Sequence, residues 1–208
     1  MASRALHELE VRSKIDHPGL DATFLADWEL WVRQAEALYR RWLERLPDDD
    51  PFAYNETASG SVLACAATMA GGLGIADYHT EKRKVRGADP TDRWHRGDLW
   101  IRHPGGGTWA VELKQVCPAH QSVLRAGQIE IALRNARADA WNCRRKEADH
   151  RLGCVVVSTW WQGARPDPDA HQVITGMMDK APCAARFGVG RSQILILLAP
   201  AAARPTPP

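Results

Sequence analysis

The residues of this 208-residue chain best placed to do chemistry are Asp98, Glu112 and Lys114. They lie in Trp94-His-Arg-Gly-Asp-Leu-Trp-Ile-Arg102 and Trp109-Ala-Val-Glu-Leu-Lys-Gln115, two stretches joined by the glycine-rich His103-Pro-Gly-Gly-Gly107. Successive side chains of a strand alternate between faces, so Glu112 and Lys114 share one face while Val111 and Leu113 share the other. Polar groups on a central strand are costly unless they have partners or work. A turn at 103–107 folds the strand that starts at Asp98 back against Glu112 and sets two carboxylates side by side. A divalent cation is the usual means of keeping such a pair ionised, and oxygen-only ligands select Mg²⁺ or Mn²⁺ over zinc. A lysine beside that cation orients or deprotonates a water, or neutralises charge developing at phosphorus. Phosphodiester hydrolysis needs all three. Ion pairs on a strand edge are the structural alternative.

The elements that must position these residues read as follows. Leu20 to Leu46 repeats apolar residues every three or four positions, including Trp28, Trp31 and Trp42, and predicts a helix capped by Asp21. Pro47 to Pro51 breaks the chain. Asn55 then caps a small-residue helix from Glu56 to about Ala70, which Gly71-Gly72 ends. Tyr78 to Val85 is a strand candidate, 87–94 a loop, and Asp98–Arg102 and Thr108–Val116 form a hairpin. Gln121 to about Asp149 reads as a long helix, Cys154–Ser158 as a buried strand, Asp169–Met178 as a short helix and Gln193–Leu198 as a second buried strand. The sum is an α/β chain with a mixed sheet flanked by helices.

Gly97-Asp98, thirteen intervening residues, then Glu112-Leu113-Lys114, on a hairpin followed by a helix and a strand, resembles the PD-(D/E)xK nuclease superfamily. The resemblance implies a restriction-endonuclease-like αβββαβ core, here with an added N-terminal helical segment. The resemblance covers about residues 55–160; the chain is expected to comprise a helical segment at 1–50 packed on the core, a nuclease-like domain at 51–200 and a low-complexity Ala/Pro tail at 201–208 that is disordered. It implies that Asp98 and Glu112 bind Mg²⁺, with Mn²⁺ able to substitute, and that the Leu113 carbonyl is a further ligand. Lys114 would position the attacking water. Glu56 matches an extra acidic residue that completes the metal shell in many members, although a first-turn glutamate is also favoured by the helix dipole alone. Gln128 matches a polar helix position that contacts phosphate, but Ala132 stands where one branch of the superfamily has a tyrosine. Gln115, on the opposite face, is expected to point to solvent.

Charge points the same way. Residues 1–81 carry 7 Lys/Arg against 14 Asp/Glu, residues 82–151 carry 15 against 8, and the net is +2. The basic third therefore coincides with the catalytic motif, which favours a polyanionic partner, DNA, over a small substrate. Lys82, Lys84, Arg93, Arg96 and Arg102 are the candidate phosphate contacts, with a solvated charge run as their alternative. The expected activity is a metal-dependent endodeoxyribonuclease serving phage defence, restriction or repair. The alternative is an inactive DNA-binding or scaffolding subunit of the same fold that acts with a partner. The three tryptophans on one stripe of helix 20–46 read first as core, with a surface for a homodimer or partner protein as the alternative. Five widely spaced cysteines without a CxxC pair exclude a zinc ribbon and point to a reduced cytoplasm. The longest apolar run, Ile194–Pro200, is far short of the roughly 20 residues of a membrane span.

Overall fold

Asp21 accepts a hydrogen bond from the Phe24 amide at 2.8 Å and so starts helix α1, Ala22–Arg45. Its aromatic stripe is turned inward: Phe24, Trp28, Trp31 and Tyr39 are buried against a sheet. The structure, a computed structural model, describes residues 6–14, 17–18, 20–81, 94–118, 123–160, 169–189 and 192–203. Seven strands form the sheet: β1 Leu6–Ser13, β2 Leu73–Glu81, β3 Trp94–Arg102, β4 Thr108–Val116, β5 His150–Ser158, β6 Cys183–Val189 and β7 Ser192–Pro200. Helices α2 (Glu56–Met69), α3 (Ala126–Asn142) and α4 (Ala170–Lys180) complete the α/β fold. The strand order is β1-β6-β7-β5-β4-β3-β2. β4 and β5 run parallel, joined across α3, and every other neighbouring pair is antiparallel.

The two faces of the sheet are covered separately. One cluster joins α1 and α2 to Leu99, Ile101, Trp109, Val111, Leu113, Cys154 and Val156. There Phe24 stacks on Trp109 with ring centroids 4.4 Å apart, and the Trp31 indole N–H donates to the Leu63 carbonyl at 2.9 Å. The other cluster packs α3 and α4 on Val155, Val157, Leu195 and Leu197. Unbroken apolar runs in β5 and β7 follow from being covered on both sides.

Several expectations are corrected. Residues 1–50 are not purely helical, because Leu6–Ser13 is a strand that extends the same sheet by pairing with β6. Of the two readings of the tryptophan stripe, core holds for Trp28 and Trp31, which are buried against the sheet, while Leu30, Trp42 and Leu46 reach solvent. β2 begins at Leu73, five residues before the expected start, and the expected strand residues 82–85 lie outside the described residues. The long helix is shorter at both ends, beginning at Ala126 and ending at Asn142. The expected tail is tied down at its start: the Ala201 amide donates to the Arg151 carbonyl at 2.8 Å and Ala202 to Arg137 at 3.2 Å. No described helix is long and apolar enough to cross a membrane.

Two packing features yield predictions. A Cβ on Gly153 of β5 would lie 2.4 Å from the Arg137 backbone nitrogen, so α3 rests directly on this glycine. Gly153→Ala must push α3 outward and is expected to lower stability by about 1–3 kcal/mol in urea denaturation. Asp50 is almost fully buried, accepting from Ser158 Oγ at 2.6 Å and the Phe52 amide at 2.8 Å. Burial outweighs both hydrogen bonds and raises its pKa from 3.8 to about 6. The unfolded chain therefore releases this proton first, and the stability Asp50 contributes is lost as pH rises from about 4 to about 6. His103, buried on Trp109 with its pKa lowered to about 4, titrates with the opposite sign. Asp50→Asn is thus expected to gain on the native protein by up to about 3 kcal/mol between pH 4 and pH 7, read from paired denaturation curves.

Candidate active site

The β3–β4 ladder runs from Arg102 opposite Thr108 to Leu99 opposite Val111 and stops there. Asp98 is the next residue of β3. Its carboxylate accepts the Leu113 amide at 2.7 Å, so a side chain replaces the backbone partner that β3 would have supplied. The β2–β3 ladder is interrupted at the same level, between the pairs Ala76–Leu99 and Tyr78–Gly97. The residue of β2 at the interruption, Asp77, has φ of 58° and forms an ion pair with Arg96. A left-handed aspartate beside an acidic strand residue is the kind of local strain that collects at functional sites. Gly97 is required here for space, since a Cβ would come within 2.5 Å of the Tyr78 ring.

Glu112 and Lys114 leave β4 toward α3, and α3 answers each of them. The Cys143 thiol donates to Glu112 Oε1 at 3.4 Å, and Lys114 Nζ lies 3.4 Å from Asp139 Oδ2. Asp139 lies in the last turn of α3 and Cys143 directly follows its last residue, so the chain running back across β4 brings the first to Lys114 and the second to Glu112. Lys114 Nζ also donates to the Leu113 carbonyl at 3.0 Å and lies 3.8 Å from Glu56 Oε2. Glu56 Oε1 accepts the Gln115 amide at 3.3 Å, which fixes the start of α2 against the end of β4. Glu112 is 3% exposed. Burial, with Cys143 and Glu112 close by, holds the Tyr78 phenol protonated well above its ordinary range.

The predicted residues thus fall into two groups. Asp98, Glu112, Leu113 and Lys114 meet where β3 and β4 part, and Glu56 reaches Lys114 from α2. Arg96 is paired with Asp77, and Arg102 is exposed on β3. Gln128 caps the first turn of α3, its side-chain oxygen accepting the Arg125 amide at 3.1 Å. Lys82, Lys84 and Arg93 lie outside the described residues. Gln115 is not solvent-facing as expected: its side chain is half-buried, donating to the Phe52 carbonyl at 2.7 Å and accepting from Ser59 Oγ at 3.4 Å. Sequence reasoning missed Asp77, Tyr78, Asp139 and Cys143. For the last two the signal was their place at the end of the helix that follows the hairpin, Asp139 in its last turn and Cys143 just past it.

Among the described residues no group of three or more His, Cys, Asp or Glu side chains converges closely enough to hold a metal ion. The site offers instead two carboxylates and the Leu113 carbonyl, an oxygen-only set of the kind hard divalent cations take. These donors match Mg²⁺ or Mn²⁺ in kind, and the Leu113 carbonyl among them accepts from the Lys114 ammonium at 3.0 Å. Comparison with protein-family models, curated proteins and solved structures finds no match.

Asp98 has a structural duty separable from any chemistry. Asp98→Ala leaves the Leu113 amide without its acceptor and is expected to destabilise the protein by about 1–3 kcal/mol. Asp98→Asn keeps a carbonyl acceptor and should recover most of that loss in the same denaturation assay.

Proposed function

We propose that the chain is a metal-dependent nuclease that hydrolyses phosphodiester bonds in DNA, with a restriction-endonuclease-like core. The observation that carries this reading is the Asp98 carboxylate seated on the Leu113 amide at the point where β3 and β4 separate, with Glu112 and Lys114 on the adjoining strand. The element order supports it. α2, the antiparallel run β2-β3-β4, α3 and the parallel β5 follow one another in the αβββαβ sequence that the motif implies.

In this reading Asp98, Glu112 and the Leu113 carbonyl hold Mg²⁺, and Glu56 stands next to them on Lys114. When bound, the cation would polarise a phosphate oxygen and lower the pKa of a water. The chain's own contribution is positional. Asp98 is fixed by the Leu113 amide, Glu112 by the Cys143 thiol, and Lys114 by two carboxylates and a carbonyl, so none of the three has to be ordered at the moment of reaction. Lys114 carries the positive charge that orients a water or offsets charge on the phosphoryl oxygens. The basic middle third of the sequence supplies the attraction for DNA, and restriction, phage defence or repair are roles such an enzyme would serve.

Purified protein incubated with supercoiled plasmid tests this. Nicking or linearisation is expected in Mg²⁺ or Mn²⁺ and not in EDTA. Glu112→Ala and Lys114→Ala should each reduce the rate at least about a hundredfold while leaving the fold intact by circular dichroism. Full cleavage by Lys114→Ala would remove the proposed site.

A further inference from the structure

Directly after Cys143, whose thiol touches Glu112, the chain places Arg144, Arg145 and Lys146 in succession, the last two in a single 3-10 turn spanning Arg145–Glu147. All three are exposed. A run of basic residues is ordinarily a mobile, solvated face, but the backbone here is held at both ends. The Cys143 carbonyl accepts from Arg151 Nη1 at 2.8 Å. The Glu147 carbonyl accepts from the Trp100 indole at 3.2 Å, Ala148 is buried, and Asp149 Oδ2 accepts from the Thr108 amide at 2.9 Å. The anchors come from β3, β4 and β5, the strands that carry or flank Asp98 and Glu112. Arg102, two residues beyond Trp100 on β3, is exposed as well.

We propose that this anchored turn, Arg144-Arg145-Lys146, is a contact for the phosphate backbone of duplex DNA beside the Asp98–Glu112 site. The inference rests on the nuclease reading for the site and adds the surface that seats its substrate. The three long basic side chains fan out from one compact turn, and each strand of a duplex presents a phosphate for roughly every 3.4 Å of axis, so the turn can reach neighbouring phosphates. Fixing the backbone beforehand lowers the ordering that binding would otherwise require.

The test is binding of a fluorescent duplex oligonucleotide in EDTA, followed by anisotropy from 50 to 200 mM NaCl, so that cleavage plays no part. Arg144→Gln/Arg145→Gln/Lys146→Gln should bind at least about tenfold more weakly than the native protein at 100 mM salt. Its slope of log K against log salt should be shallower by about 3. Arg41→Gln/Arg45→Gln, on exposed positions of α1, is the control and should retain native affinity, with thermal melts confirming that both variants fold. Native binding and slope in the triple variant would overturn the proposal, as would equal loss in the α1 control or no salt-dependent binding by the native protein. Failure of the nuclease reading would look different: binding that depends on the turn, with no metal-dependent cleavage of plasmid.

Discussion

The hydrogen bond from the Leu113 amide to the Asp98 carboxylate is the interaction on which the site depends. A β-ladder that continued past Leu99 and Val111 would satisfy that amide with backbone and leave no opening. Because a side chain takes the backbone's place, β3 and β4 can part without orphaning a donor in the sheet. The same bond fixes a carboxylate within reach of the strand that carries Glu112 and Lys114. Strand separation and placement of the acid are one event. The left-handed Asp77 marks a distortion of β2 at this level, and Gly97 of β3 leaves the space that the Tyr78 ring fills.

Around that opening the fold works as a clamp. α2 delivers Glu56 to the end of β4, and α3, pressed onto Gly153 of β5, delivers Asp139 and Cys143 to Lys114 and Glu112. The large aromatic core under α1 packs on the opposite face of the sheet. Its tryptophans are spent on packing, which is why the most aromatic helix of the chain contributes nothing to the site.

Much of this was legible in the sequence, for physical reasons that differ by element. β4 was readable to the residue because Thr108–Val116 alternates cleanly, and that alternation also assigned Glu112 and Lys114 to one face. α1 was readable from its three- and four-residue spacing. β1 and β6 were not. Leu-His-Glu-Leu-Glu-Val-Arg-Ser has too little apolar content to announce a strand, and Cys-Ala-Ala-Arg-Phe-Gly-Val has too little β-branching, so β1 is held in place by β6 across some 170 residues and β6 by β1 and β7 on its two sides. Gln115 was misread because alternation gives a side chain's face but not what covers it. Asp139 stayed hidden since its role depends on how α3 crosses β4, which is a tertiary fact.

The central claim is that the parted ends of β3 and β4 form a divalent-cation site, and the most direct measurement is Mn²⁺ binding followed by electron paramagnetic resonance. The account predicts one bound ion per chain in the native protein, displaced by Mg²⁺ and lost in Glu112→Gln. Absence of binding at millimolar Mn²⁺, or undiminished binding in Glu112→Gln, would contradict it.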